Sequence, residues 1–386
     1  MEQRNFNEII KFSRLTNGTA IDPQGALVLF AADQPRFDHD SITLAKQGIL
    51  VEDQSTNLIL QSSTLNVSPW VSTSVTLAQQ PVTALGSLLT SFRLTETTAN
   101  SKHNVSQQVN TVLNTKYTFS VFVKAGVRTR VCLELISGST KLAYFDLSTK
   151  QVLSQQDCTA VIVPFVDNWC RVSVSFTAGA TSTTCNINLA TADGVNSYTG
   201  STSAYLDVQG VQLEPSSYLT SYIPTTSTQV TRAEDLVYLE SPSKWYSEGV
   251  GTLFVEATSP HGVISESVGQ CVLSMSDAQR DNYLNINRTN TELINIQSIR
   301  AYDQVWDFDQ TSWVKDSTKR IAYAFDAYGF TTWVNSVKQT DSAIETPSTS
   351  VNALNTYDSK NFGGWIRKIK FYPWTMQEEE LKELTS

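Results

Sequence analysis

Residues 117–124, YTFSVFVK, put Tyr117, Phe119, Val121 and Val123 on one face of an extended chain. Thr118, Ser120, Phe122 and Lys124 fall on the other, mostly polar face. A strand with one apolar face cannot bury it alone, so this period of two demands partner strands and an opposing sheet. The alternation returns at 130–136 (RVCLELI), 169–176 (WCRVSVSF), 184–190 (TCNINLA) and 204–213 (AYLDVQGVQL), with Gly, Asn and Ser turns between. Only 17% of residues are charged, while Thr, Val and Tyr, which suit half-buried pleated surfaces, are common. The pattern predicts an all-β chain built of antiparallel sandwiches of the jelly-roll kind.

At 386 residues the chain is too long for one ordinary core. Two sandwiches are expected, at 48–240 and 241–386. The second has strand patterns at 251–257, 283–287, 292–299, 320–326, 330–337 and 364–372. Its clearest hairpin turns at Asp326-Ala327-Tyr328-Gly329, leaving Ile321, Tyr323 and Phe325 on one face. After the last strand, PWTMQEEELKEL places Thr375 three residues before Glu378, the spacing of a capping box, and predicts a short C-terminal helix. Residues 1–47 carry Asn-Gly, Pro-Gln-Gly and Gln-Pro punctuation and only short apolar bursts, so they read as an N-terminal leader that packs on a sandwich or docks on a neighbouring chain. Between the sandwiches lies YIPTTSTQVTRAEDL, residues 222–236. Pro224 disfavours helix before it, but Tyr222, Ile223, Val230 and Leu236 are too apolar for a free linker, so an extended segment lying along the first sandwich is expected.

The net charge of −9 argues against the basic footprint that phosphate backbones require, so nucleic acid is not an expected partner. The opening MEQRNFNEII has no basic stretch followed by an apolar one, and the longest apolar run, 26–32, falls far short of the ~20 residues that span a bilayer. Export by a signal peptide and membrane insertion are both unexpected. The five cysteines, Cys132, Cys158, Cys170, Cys185 and Cys271, form no C-x-x-C pair. Cys170 and Cys185 alternate with core residues and read as small buried hydrophobes, which fits synthesis in a reducing cytoplasm.

Catalytic chemistry is missing from the pattern. His39, His103 and His261 sit in unrelated contexts with no nucleophile elbow near them, and no Gly-rich loop resembles a phosphate cradle. Glycoside hydrolysis needs two carboxylates roughly 5 to 9.5 Å apart. Glu134, Glu256 and Asp326 are single acids in strands and read as edge or turn charges. Binding is the remaining class. In AYDQVWDFDQTSW, 301–313, Tyr302, Trp306, Phe308 and Trp313 lie among Asp303, Asp307 and Asp309 in a loop-like stretch. Aromatic faces stack on sugar rings while carboxylates accept their hydroxyl protons, so Tyr302, Asp303, Trp306, Asp307, Asp309 and Trp313 are candidate ligand-binding residues. Asp307 and Asp309 also have the oxygen chemistry for Ca²⁺, but no cofactor is expected on pattern alone. The same residues can equally be read as core aromatics beside solvated turn aspartates. Trp70 and Trp169, each following a turn into an apolar strand, read as core.

In order along the chain, QGILVEDQSTNLILQSS, FDLSTKQV, VDNWCRVSVSF and GVQLEPSSYLTSYIPTTSTQVTRAEDL resemble a family of phage virion proteins in which a carbohydrate-binding-module-like jelly roll follows a short leader. The leader FSRLTNGTAIDPQGALVLFAADQPRFDHD is similar to theirs. Where that family reads asparagine-glycine-tryptophan, this chain has Asn168-Trp169 and lacks the glycine. RIAYAFDAYGFTTWVNSV and NFGGWIRKIKFYPWTMQEEELKEL are similar to concanavalin-A-like or laminin-G-like lectin domains. The resemblance implies a non-enzymatic protein of the virion surface, in tail fibre or capsid decoration, with lectin-like modules for host or environmental glycans. It also implies other virion proteins as partners and a homotrimer. Two alternatives stand beside it: a purely structural decoration protein, and a polysaccharide-degrading tailspike, for which neither paired acids nor β-helix repeats are visible.

Overall fold

The alternating strands pair as their pattern requires. The computed structural model describes residues 10–83, 85–239, 249–261, 270–276, 283–300, 303–326, 328–342, 353–355 and 362–386. It is all-β apart from a 3₁₀ turn and a C-terminal helix.

The first sandwich faces two six-stranded antiparallel sheets. One runs in the order Gln151–Gln156, Ser139–Asp146, Arg130–Ser137, Ser182–Ala190, Asn104–Asn110, Val71–Thr73. The other runs Thr159–Pro164, Trp169–Thr177, Lys116–Ala125, Tyr205–Glu214, Phe92–Glu96, Val75–Gln79. Phe119, Val121 and Val123 meet Leu133, Leu135, Cys185 and Ile187 across the core, as the period of two demands. All five cysteines are free thiols, and burial raises the Cys185 thiol well above its ordinary range. Trp70 and Trp169 are both buried. The turn that lacks the family's glycine is made by Asp167 and Asn168, at φ 55° and 59°. Their short polar side chains make them the L residues that best tolerate this left-handed region.

Phe122 departs from its expected polar face. It is buried against Phe165, Trp169, Tyr222 and the leader residues Ile21 and Leu27. The leader hairpin Gly18–Ile21 with Leu27–Phe30 therefore covers the outside of the second sheet. Tyr222 lies edge-on to Phe122 and its hydroxyl bonds Ser62 and Ser63, so the segment that opens the 222–236 stretch is packed onto the first sandwich. Farther on, Val230–Arg232 pairs with Ser55–Asn57.

The second sandwich has two seven-stranded sheets, and the leader supplies strands to both. Ile10–Ser13 pairs with Leu236–Leu239 in one sheet. Phe37–His39 and Lys46–Val51 extend the other, beside Gly364–Tyr372. Ile49, Val51 and Val237 share a core with Leu253, Ile321, Tyr323, Phe325 and Trp313. Part of the expected leader, 1–47, is thus integral to the second sandwich, as are the first residues of the stretch expected in the first one. The first sandwich is inserted between Val51 and Leu236. Gly48 (φ +114°) permits this pairing, because a Cβ there would lie 2.4 Å from the Ile366 carbonyl oxygen.

The two crossings are tied together where they meet. The Asp235 N–H donates to the Glu52 carbonyl at 3.0 Å and the Glu52 N–H to Asp235 Oδ2 at 2.9 Å. Around this pair stand three buried guanidiniums. Arg14 bonds Asp235 at 3.0 Å, Arg36 bonds Glu52 at 2.8 Å and also Asp235, and Arg232 lies 3.5 Å from Glu52. Ser221 donates to Glu52 through both its N–H and its hydroxyl. Burial would raise the Glu52 carboxyl, but Arg232 and Arg36 hold it well below the usual carboxylate range. Arg232 and Asp235 come from the 222–236 stretch, whose role is therefore to close the insertion.

The C-terminal helix, Glu378–Leu384, is present, but its cap is not the expected one. Gln377 is the N-cap and Glu380 completes the box, whereas Thr375 donates its hydroxyl to the Phe325 carbonyl and fixes the preceding turn instead. Leu381 seats the helix on Phe254, Ala322 and Trp333.

Candidate functional site

The sequence-derived candidates do not assemble into a described site. The stretch read as loop-like forms an edge strand, Asp303–Ser312, on Leu293–Arg300, with two register shifts. Tyr302 and the side chains of Asp303, Trp306, Asp307 and Asp309 lie outside the described residues. Trp313 is a correction: it is fully buried, stacks near Phe362 at 5.4 Å and donates its indole N–H to the Ser317 carbonyl. A wholly buried, hydrogen-bonded indole has no face left for a ligand. Among the described residues no group of three His, Cys, Asp or Glu side chains is placed to hold a metal. No described helix is long and apolar enough to cross a membrane.

The polar side chains that do converge lie on the outer face of the first sheet of the first sandwich. The reason is again the period of two. In Ser182–Ala190, Cys185, Ile187 and Leu189 turn into the core, which leaves Asn186 and Asn188 on the opposite face. Register then aligns Asn104 with Asn188, Asn188 with Cys132, and Asn186 with Glu134. The Asn104 amide donates to Asn188 Oδ1 at 3.0 Å, and Asn186 donates to the Glu134 carbonyl at 3.1 Å. Lys102 reaches across from its own strand and grips both Glu134 oxygens, at 2.7 and 2.8 Å. Glu134 is therefore no edge charge: it sits in a central strand, paired. Glu256, also read as an edge charge, likewise lies in a central strand with ion partners.

One wall of this face is the ribbon formed by Asn100–Lys102 and Ser197–Thr199. Tyr198 is fixed there by three contacts. Its hydroxyl donates to Glu96 at 2.7 Å, its ring lies 5.0 Å from His103, and the Arg128 guanidinium stands 5.1 Å above it. Glu96 in turn accepts Arg128 at 2.5 and 2.9 Å and the Ser201 N–H. Burial and the Glu96 carboxylate push the Tyr198 phenol far up, so it stays a neutral donor. On the other side Tyr144 and Cys132 form a small buried apolar patch with Ala190 and Leu142. Burial lifts the Cys132 thiol to about 12, which makes it inert packing.

The three amides lie at sheet spacing but are buried, Asn188 completely, so this face meets solvent through Lys102 and Tyr198. Each amide carries two donors and an acceptor oxygen, and Asn104 Oδ1 is buried with no partner of its own. The two acids are already engaged. Glu134 is held by Lys102, and Asp146, despite partial burial, is drawn below its ordinary range by Ser148, the Thr149 N–H and Arg130. The sequence signal was present in N-x-N at 186–188 inside an apolar alternation. Asn104 and Lys102 carried none, because only strand register brings them alongside.

No protein-family model matches the chain, and no curated protein matches it either. Solved structures do resemble it. The CBM40 of the Ruminococcus gnavus IT-sialidase aligns at 16% identity over 37% of this chain and 86% of that one, with TM-score 0.31. Chicken galectin 2 aligns at 14% identity over 33% of this chain and 92% of its own, with TM-score 0.26. The LG1-3 region of the laminin alpha2 chain aligns at 9% identity over 72% of this chain and 66% of its own, with TM-score 0.29. The neighbours are thus carbohydrate-binding-module, galectin and laminin-G folds.

Proposed function

We propose that the chain is a non-enzymatic surface protein of a phage particle, and that the Lys102, Asn104, Glu134, Asn186 and Asn188 face of its first sandwich holds a glycan. The phage assignment rests on the ordered motifs of the sequence. The glycan reading rests on one observation: the half-exposed Lys102 and the half-buried Tyr198 ring stand side by side over a buried amide row whose Asn104 Oδ1 has no partner. Tyr198, rigidly held, supplies an amphipathic wall of the kind sugar rings pack against.

Catalysis finds no support in this face, because its acids are committed to Lys102, Arg130 and local turns. Binding at one such face would be weak, and display in several copies, as in a homotrimer on a particle, would raise it by avidity. A second reading, decoration alone, is favoured by the Lys102–Glu134 pair, which already satisfies two of the polar groups there. A glycan array probed with the full chain and with an Asn186→Ala/Asn188→Ala variant separates them. Binding that the variant loses supports the glycan face. No binding of the wild-type chain at millimolar sugar leaves decoration.

A further inference from the structure

The chain carries a net charge of −9, yet one patch of the second sandwich is basic. In the sheet that contains Thr318–Asp326, Gly251–Thr258 and Gly364–Tyr372, Glu256 stands opposite Arg320 on one side and Lys368 on the other. Arg320 Nε lies 3.4 Å and Lys368 Nζ 3.2 Å from the same Glu256 oxygen, so two cations share one carboxylate. Arg320 also donates to the Ser386 carbonyl at 2.7 Å. One row on, Lys370 stands over the Phe254 ring at 5.8 Å. A register shift beside Ala257 breaks the alternation of the last strand, and Arg367 and Lys368 are both exposed. Arg367 donates to the Gln47 carbonyl at 3.2 Å and to its side chain, which are neutral acceptors. Among the described residues no carboxylate pairs with Arg367 or Lys370, and Lys46, on the adjoining strand, is exposed.

We infer that this patch is a docking surface for an anionic polysaccharide. Cations two residues apart on a strand stand about 7 Å apart, and neighbouring strands about 5 Å apart. That spacing matches a polymer with one carboxylate or phosphate per repeat. It does not match duplex DNA, with one charge per about 1.7 Å, which the rest of this acidic surface repels. The C-terminal helix limits the patch on one side, because it packs over Phe254, Ala322 and Trp333 with Glu378, Glu379 and Glu380 in its first turn. The polymer therefore lies along Gly364–Tyr372, away from the helix. This contact is separate from the neutral amide face of the first sandwich.

Binding of the full chain to polygalacturonate and to long-chain polyphosphate, measured by calorimetry from 50 to 300 mM NaCl, tests the inference. Polygalacturonate is expected to bind more tightly than polyphosphate, and to bind more weakly as salt rises. An Arg367→Gln/Lys370→Gln variant, which removes two unpaired surface cations, is expected to bind about tenfold more weakly at low salt with an unchanged melting temperature. The Asn186→Ala/Asn188→Ala variant is expected to bind as the wild type does. Binding of polyphosphate alone would overturn the assignment to a polysaccharide. No binding of either probe, equal binding by the Arg367/Lys370 variant, or tighter binding of a 20-nucleotide single strand would overturn it.

Discussion

The two sandwiches reach the same architecture by different routes. The first is drawn from one continuous run, Val71–Thr73 to Tyr205–Glu214, with hairpin pairs at the sheet edges and crossovers between the central strands. The second is assembled from distant pieces: Lys46–Val51 lies on Gly364–Tyr372, and Ile10–Ser13 on Leu236–Leu239. Its sheets take strands from both sides of the inserted first sandwich. The lesson is that a sandwich built largely of local hairpins can still depend on a few far-separated pairings, and that the ionic tie at Glu52 and Asp235 sits where the long detour returns to register.

Removing that tie should have the largest effect of any single substitution. Asp235→Ala strands Arg14 in a buried site and leaves Arg36 with Glu52 alone, and breaking one side of such a network typically costs about 3–5 kcal/mol. Urea unfolding should show that loss chiefly in the second sandwich, with new protease cuts near the crossings. A variant as stable as wild type would mean the crossings are held by packing alone. Deleting residues 1–47 should go further and abolish folding of the second sandwich, so such a truncation cannot test particle docking.

Core truncations sharpen the comparison at the next level. Leu133→Ala and Ile321→Ala each delete buried atoms from one core, at about 2–5 kcal/mol. If the sandwiches unfold separately, each variant shifts its own transition in calorimetry. A single transition shifted by both would mean that the tie fuses them into one cooperative unit.

Acid should act first where the sandwiches touch. His261, stacked 4.0 Å from Tyr218, is pushed down to about 3 by burial, with the Arg288 charge adding to the effect. The folded state keeps it neutral while the unfolded chain protonates near pH 6.5, so the unfolded state binds more protons below that point and stability falls as pH drops from 6.5 towards 3. The loss should reach roughly 2 kcal/mol at pH 5 and be absent in His261→Gln. Glu52 has the same sign in a lower window: its depressed carboxyl stabilises the fold above about pH 4.3 and progressively less below it. The smallest effect is expected at the turn before Trp169. Asn168→Gly should change stability by under about 0.5 kcal/mol, because φ 59° suits both residues, whereas Asn168→Val should cost more.

What could be read from the sequence was what repeats locally. Tyr117, Phe119, Val121 and Val123 reveal their buried face through alternation, and so do Ile321, Tyr323 and Phe325. Short strands such as Phe37–His39 and Ile10–Ser13 hold too few residues to show a period, so their place in the second sandwich was hidden. Phe122 misled because its polar-face neighbours gave no hint that a leader hairpin would cover it. Aromatic density drew attention to 301–313, where Trp313 proved to be core. The amide face was overlooked because asparagine reads as turn chemistry until register lines up Asn104, Asn188 and Asn186.

Because the chain leaves the second sandwich at Glu52 and re-enters it at Asp235, the first sandwich is a closed loop on the second, held at that tie, by the leader hairpin on its outer sheet and by Tyr218 against His261. A pull between Ile10–Ser13 and the C-terminal helix would load the second sandwich while the first rides free of the tension. Rupture of the arginine and carboxylate tie, together with the leader hairpin's packing, would pass the force on, releasing some 180 residues of stored chain as a shock absorber.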